Sequence, residues 1–185
     1  TKSGWYDSYH SAHDSGFTRT TVAHNSITFD GGIGQKDDDI DANGNTDMFV
    51  TYKDFDAVVG DATKAYAGGL NKFVRSIIYV RPDSYIVVDD LEAATKAGSN
   101  FEWWLNGLSN VSMHEDGKGG AVTGDSGKSK LDVRVQYPEK VTGYYSNIYS
   151  GPNLINIEPS GDYTGHEAQQ RIWFETERVK DTKMV

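Results

Sequence analysis

Apolar and polar residues alternate with a period of two in several short runs separated by Gly, Pro, Asn and Asp, which is the pattern of strands joined by tight turns. The cleanest run has Leu131, Val133, Val135 and Tyr137 alternating with Asp132, Arg134 and Gln136. In an extended chain this spacing sends one set of side chains to a core and the other to water. Residues 73–91 predict a hairpin, because two β-rich runs flank Arg81-Pro82-Asp83-Ser84 and Pro82 and Asp83 supply turn chemistry. Residues 18–29, rich in Thr, Val, Ile and Phe, predict a half-buried strand punctuated by Gly31, Gly32 and Gly34. The polar stretch 36–47 predicts a loop, and 48–55 resumes the alternation. Residues 101–105 predict a further strand, in which the adjacent Trp103 and Trp104 face opposite ways. Residues 117–127 predict a loop, and 170–177 a late strand with Ile172 and Phe174 on one face. Residues 61–66 fit a short helical turn, but no 3.6-residue apolar stripe is sustained. Strands at this spacing predict an all-β fold, an antiparallel β-sandwich of two sheets.

Composition agrees with that pattern. Aromatics at 12% and 20 Gly suit sheets and turns, and 185 residues suit one domain, 1–185, with a sizeable core. A formal charge of -9 argues against broad nucleic-acid binding, which needs a basic face. The densest basic group, Lys128, Lys130 and Arg134, reads as the solvated face of one strand. Without Cys there is no disulfide framework and no thiolate metal site. No apolar run approaches the roughly 18 residues of a membrane span, and no signal peptide is recognised. Both ends are expected to be cut from a longer chain: Thr1 is not an initiator Met, and the final Thr-Lys-Met-Val reads like the start of a strand.

Two constellations carry candidate chemistry. Asp39, Asp41, Asn43 and Asp47 place side-chain oxygens at positions one, three, five and nine of a short loop, with Gly44 at six, as calcium requires. Val50 stands where the bidentate Glu of a helix-loop-helix site belongs, so only a shorter Asp-rich calcium loop fits, against the plainer reading of a solvated acidic loop. The second is the N-terminal cluster of Tyr6, Asp7, Tyr9, His10, His13, Asp14, Arg19, His24 and Asn25. It supplies a base, an acid and a cation, the groups needed for proton abstraction beside a carboxylate, although His and Tyr are also ordinary in sheets. His114 and His166 lie alone in polar stretches and read as solvated. An outward Trp at 103 or 104 would suit stacking on a sugar, and Asn110-Val111-Ser112 fits a glycosylation acceptor.

The run Gly4-Trp5-Tyr6-Asp7-Ser8-Tyr9-His10, followed by Arg19-Thr20-Thr21-Val22-Ala23-His24-Asn25-Ser26-Ile27, resembles the heparinase II/III-like polysaccharide lyases, the alginate and oligo-alginate lyases most of all. So do Asp61-Ala62-Thr63-Lys64-Ala65-Tyr66, Arg75-Ser76-Ile77-Ile78-Tyr79-Val80-Arg81-Pro82, Val87-Val88-Asp89-Asp90-Leu91 and Phe101-Glu102-Trp103-Trp104-Leu105. The resemblance runs clearly over residues 4–105, and the Arg-Thr-x-x-Ala-His-Asn-x-Ile segment is its most specific part.

That resemblance implies a periplasmic or secreted enzyme with an N-terminal α/α toroid and a C-terminal β-sandwich, cleaving uronate polymers by β-elimination. This chain is then the sandwich half, and the toroid supplies the proton-abstracting Tyr and the neutralising His and Asn. The family's structural zinc takes a His from an upstream stretch, an Asp, and the His that maps to His24. Where some members carry an Asp before Gly-Trp-Tyr, this chain has Thr1, Lys2 and Ser3, which leaves the zinc site incomplete here. His24 is thus the expected metal ligand, and Tyr6, His10, Arg19 and Asn25 are the expected contacts to an acidic polysaccharide. Two other readings stand beside this one. A carbohydrate-binding sandwich would use exposed aromatics such as Trp5 or Trp104, and a structural domain would be stabilised by calcium.

Overall fold

The computed structural model describes residues 8–107, 110–124, 127–150, 153, 155–161 and 168–185. Its strands are β1 (Ile27–Phe29), β2 (Asn45–Thr51), β3 (Phe55–Asp61), β4 (Leu70–Val80), β5 (Ser84–Ala93), β6 (Phe101–Gly107), β7 (Val111–Met113), β8 (Gly119–Thr123), β9 (Lys130–Arg134), β10 (Val141–Ser146), β11 (Gln170–Thr176) and β12 (Asp181–Met184). All pair antiparallel, in three sheets rather than two. The chain divides into two compact units, one of residues up to 34, 100–135 and 140–177, the other of 35–99, 136–139 and 178–185. Among the described residues no helix is long and apolar enough to cross a membrane.

The first unit is the expected sandwich. A four-stranded sheet, β1-β6-β11-β10, and a three-stranded sheet, β7-β8-β9, bury a common apolar layer. Register pairs Leu105 with Ile172 and Trp103 with Phe174, so these four side chains share a face. Leu105, Ile172 and Phe174 cluster with Val111, and Met113, Val122 and Val133 pack against them. Gly120 leaves room for the facing sheet, since a Cβ there would run into Ile172 Cδ1 of that sheet and also into the Ser112 carbonyl oxygen of the neighbouring β7. On the other face of the four-stranded sheet, Trp104 stacks on its register partner Trp173 at 4.5 Å, and Tyr144 stacks on Trp173 at 5.1 Å. Phe17, Val22, Ala23 and Tyr149 complete that cluster.

Three expectations are corrected in this unit. Residues 18–29 are not one strand: a five-residue π-type turn at Asp14–Thr18 and a 3₁₀ turn at Thr21–Ala23 precede the short β1. The buried residues Phe17, Thr18, Thr21 and Val22 recur at one- and four-residue spacing, which matches helical turns, whereas their Thr-rich composition reads as strand. Residues 117–127 contain β8, whose Gly119-Gly120 pair serves sheet packing rather than a turn. β9 stops at Arg134 and leaves Leu131 48% exposed, so only Val133 and Val135 of the alternating run pack inward. β10 falls in a stretch whose Tyr, Asn and Gly content obscured it.

The second unit is a five-stranded sheet, β12-β5-β4-β3-β2. The predicted hairpin is its centre, with Val80 opposite Ser84 and Tyr79 stacked on Tyr85 at 4.7 Å. Arg81 Nη2 at the turn donates to both oxygens of the Asp56 carboxylate, at 2.7 and 2.8 Å. The short helical turn appears at Thr63–Tyr66, and Tyr66 packs edge-on against Phe73 at 5.0 Å, with Leu70, Leu91 and Ala93 also buried. β2 begins at Asn45 and so takes in the last three residues of the expected loop, and its register shifts between Thr46 and Met48, leaving Asp47 as a bulge on an edge strand. A charged bulge of this kind protects an open sheet edge.

Candidate functional site

In the first unit the Asp14–Thr18 turn gathers part of the predicted N-terminal cluster. His10 sits in the left-handed region at φ 63°, and its amide donates to Asp14 Oδ2 at 2.9 Å. Asp14 N in turn donates to Ser11 Oγ at 3.0 Å, and Arg19 N donates to the Asp14 carbonyl at 3.0 Å. The turn thereby carries Arg19 back over residues 9 and 10. Its Nη1 lies 3.4 Å from His10 Nδ1, and its guanidinium lies 5.8 Å from the centre of the Tyr9 ring. The rings of Tyr9 and His10 are 4.0 Å apart. Donation from Arg19 to Nδ1 leaves the imidazole proton on Nε2. Tyr9 is 67% exposed and His10 is exposed, so the three side chains form a ledge facing solvent.

The other members of the cluster separate. His13 is fully buried: its Nδ1 donates to the Ile157 carbonyl at 2.6 Å, and its ring meets Tyr149 edge-on at 4.7 Å. It belongs to the core. Asn25 is exposed and accepts from the Asn106 amide at 2.7 Å, while Asn106 Oδ1 accepts from Gln169 Nε2 at 2.8 Å. This series of amides was not apparent from the sequence, because its members are 63 or more residues apart. His24 is half-buried, and burial lowers its pKa, so its imidazole is neutral at pH 7, the form that ligates metals. Tyr6, Asp7, Trp5 and His166 lie outside the described residues.

The predicted metal ligands take the following places. Asp39 Oδ1 accepts from the Asp41 amide at 2.9 Å, and its other oxygen lies 3.4 Å from Lys36 Nζ. These two contacts, the amide first, hold its carboxyl below the usual range. Asp41 and Asn43 are exposed, and Asp47 sits on β2. Among the described residues no three His, Asp or Glu side chains converge around a common point. A zinc ion on His24 with three protein ligands would therefore take at least one of them from outside the described residues.

Two further expectations change. Trp104 is fully buried and offers no sugar platform, while the half-buried Trp103 faces the other way. His114 is not simply solvated, since its Nε2 lies 3.3 Å from Asp132 Oδ2 and its Nδ1 is buried. Lys130 and Arg134 do form a solvated face, paired with Asp132 at 3.4 Å and Asp116 at 2.7 Å.

Two buried polar groups escaped the sequence reading. Glu102, 2% exposed, accepts from the Thr28 hydroxyl and from the amides of Gly31 and Gly32 at 2.6 and 2.9 Å. Trp104 Nε1 donates to the same Thr28 oxygen at 2.7 Å. Gly31 and Gly32 adopt φ 89° and 94°, which turns both amides toward the carboxylate. Arg171, fully buried, stands on β11 beside Ile172, so its side chain points with Trp173 into the aromatic face. The available signal was an Arg at an inward position of an otherwise apolar strand.

The sequence profile described as heparinase II/III-like, C-terminal, matches residues 1–172. No curated protein matches the sequence. Among solved structures, the heparan sulfate lyase of Pedobacter heparinus and a mutant of it each align with TM-score 0.62 and 13% identity over 90% of this chain. A heparinase III gene product aligns with TM-score 0.67 and 10% identity over 99% of it. The chain spans about a quarter of each, 24% of the first two and 26% of the third. At such identities the likeness concerns the fold.

Proposed function

The chain belongs to the heparinase II/III-like C-terminal family, and from that premise we propose that it is the β-sandwich domain of a polysaccharide lyase acting on uronate-containing polymers, alginate or a heparan-like glycan. β-Elimination removes the proton from the carbon bearing the carboxylate and expels the glycosidic oxygen from the neighbouring carbon, leaving an unsaturated uronate. The carboxylate must be held and its growing negative charge offset while the proton leaves.

The observation that carries the reading is the exposed ledge of Arg19, His10 and Tyr9. Arg19 offers a planar cation to a carboxylate, His10 offers an Nε2 proton beside it, and the Tyr9 ring offers a face for a pyranose. Asn25 adds an amide for sugar hydroxyls. The proton-abstracting base comes from the α/α toroid of the parent, so this domain forms one wall of the cleft and does not turn over substrate alone. His24 contributes one ligand to a structural zinc completed from elsewhere in the parent, which works in the periplasm or outside the cell.

The test is to incubate the purified domain with alginate, heparan sulfate and other uronate polymers, following the ultraviolet absorbance of the unsaturated product and, by calorimetry, the binding of oligouronates. The expected result is binding without turnover. Clear turnover would mean that a complete active site lies within these residues, and absence of binding would remove the ledge as a uronate site.

A further inference from the structure

Arg171 occupies a position where the surrounding aromatic face calls for an apolar side chain. It is fully buried. Its Nη2 donates to the carbonyls of Ile148 and Ser150 at 2.9 Å each and to Ser150 Oγ, while among the described residues Nε and Nη1 have no hydrogen-bond partner. The rings of Phe17 and Trp104 lie 5.0 and 5.3 Å from its guanidinium carbon. Burial pulls its pKa down to about 10, so it remains charged at neutral pH. Among the described residues no carboxylate pairs with it, and a guanidinium buried in this way is costly where volume alone would be filled better by Leu or Met.

What the guanidinium touches explains its presence. Phe17 lies within the Asp14–Thr18 turn, and that turn holds the ledge at both ends: His10 N binds the Asp14 carboxylate, and Arg19 N binds the Asp14 carbonyl. His13, in the same stretch, rests on Tyr149, which lies between the two residues whose carbonyls Arg171 grips. Both supports of the ledge therefore end on one buried cation.

We infer that Arg171 is the positioning residue of the Tyr9–His10–Arg19 ledge, fixing the Asp14–Thr18 turn so that His10 and Arg19 are held at the separation that grips a uronate carboxylate. The inference rests on the reading of that ledge given above. Arg171 touches no substrate and acts through Phe17 and the Ile148–Ser150 segment.

The test compares the wild-type chain with Arg171→Met and Phe17→Leu, using thermal melts, the ring-proton resonances of His10 and titration with an oligouronate. His10 lies close enough to the Tyr9 ring for ring currents to report its placement. Both variants are expected to melt cooperatively, to move the His10 resonances toward those of a histidine with no aromatic ring beside it, and to bind the oligouronate about tenfold more weakly or worse. Unchanged His10 resonances in either folded variant would overturn the inference. Loss of cooperative folding in both would also overturn it, because Arg171 would then be a core residue and nothing more. A wild-type chain that binds no oligouronate would instead sink the functional reading, and the His10 resonances would still decide whether Arg171 positions the ledge.

Discussion

Glu102 on β6 stands directly opposite Glu175 on β11, so two carboxyls neighbour each other on one face of an antiparallel pair. Burial raises the pKa of both, and the charge of Asp30 adds to the rise at Glu175. Glu102 is partly compensated by the Thr28 hydroxyl and by the amides of Gly31 and Gly32.

A carboxyl whose pKa is raised on folding binds its proton more tightly in the folded chain. Its stabilising contribution is complete below the unfolded value, about pH 4.3, and is lost as pH rises through the folded value. Glu175→Gln is therefore expected to raise the melting midpoint at pH 7 and to leave it nearly unchanged at pH 4. Calorimetric melts at the two pH values check this, and equal shifts at both would show that Glu175 carries no titration-linked strain.

Asp89 on β5 has the opposite dependence on its neighbour. Its side chain is fully buried, and Arg75 forks onto it at 2.6 and 2.8 Å across the β4–β5 pair. Arg75→Met leaves that carboxylate without its cation and is expected to cost about 3–5 kcal/mol, because an isolated buried charge is far worse than a paired one. The double variant Arg75→Met with Asp89→Leu should recover most of the loss in urea unfolding. Failure to recover would mean that the pair contributes net stability beyond neutralising itself.

These pairs show which parts of the fold were legible from the sequence. The β4–β5 hairpin was plain because Pro82 and Asp83 separate two β-branched runs, and β11 was plain because Ile172 and Phe174 sit two apart. The Asp14–Thr18 and Thr21–Ala23 turns were hidden, since their buried residues include two Thr whose composition mimics a strand. Patterns of polarity place every charge outside, which hid the depth of Arg171 and Glu102. Of three nearby histidines, the sequence could not tell that His13 enters the core while His10 reaches solvent, because the left-handed backbone at His10 reverses the chain between them.

Gly120 tests the sandwich itself. A methyl group there would meet Ile172 Cδ1, which reaches over from the four-stranded sheet, and the Ser112 carbonyl oxygen of the neighbouring β7, a backbone atom held by the β7–β8 pairing. Gly120→Ala is expected to destabilise by about 1–3 kcal/mol, the usual cost of overpacking. Urea unfolding measures the loss, and a neutral result would place the two sheets farther apart at that point.

Arg19 is the residue on which uronate recognition should depend most. Its guanidinium is the cation of the exposed ledge, beside His10 and above the Tyr9 ring, and a planar fork binds a carboxylate through two parallel hydrogen bonds. Arg19→Ala is expected to weaken oligouronate binding by about 1.5–3 kcal/mol, the range for a hydrogen bond to a charged group, while leaving the melt almost unchanged. Arg19→Lys keeps the charge but not the fork, so it should restore only part of the affinity. Wild-type binding should weaken as salt rises, because an exposed ion pair is screened within about 10 Å at 0.1 M ionic strength, and the alanine variant should lose much of that salt dependence. Titration calorimetry at two salt concentrations reads both effects. Equal affinity of wild type and Arg19→Ala at low salt would remove the ledge from substrate binding, whereas a lost salt dependence together with lost affinity would tie the carboxylate to this guanidinium.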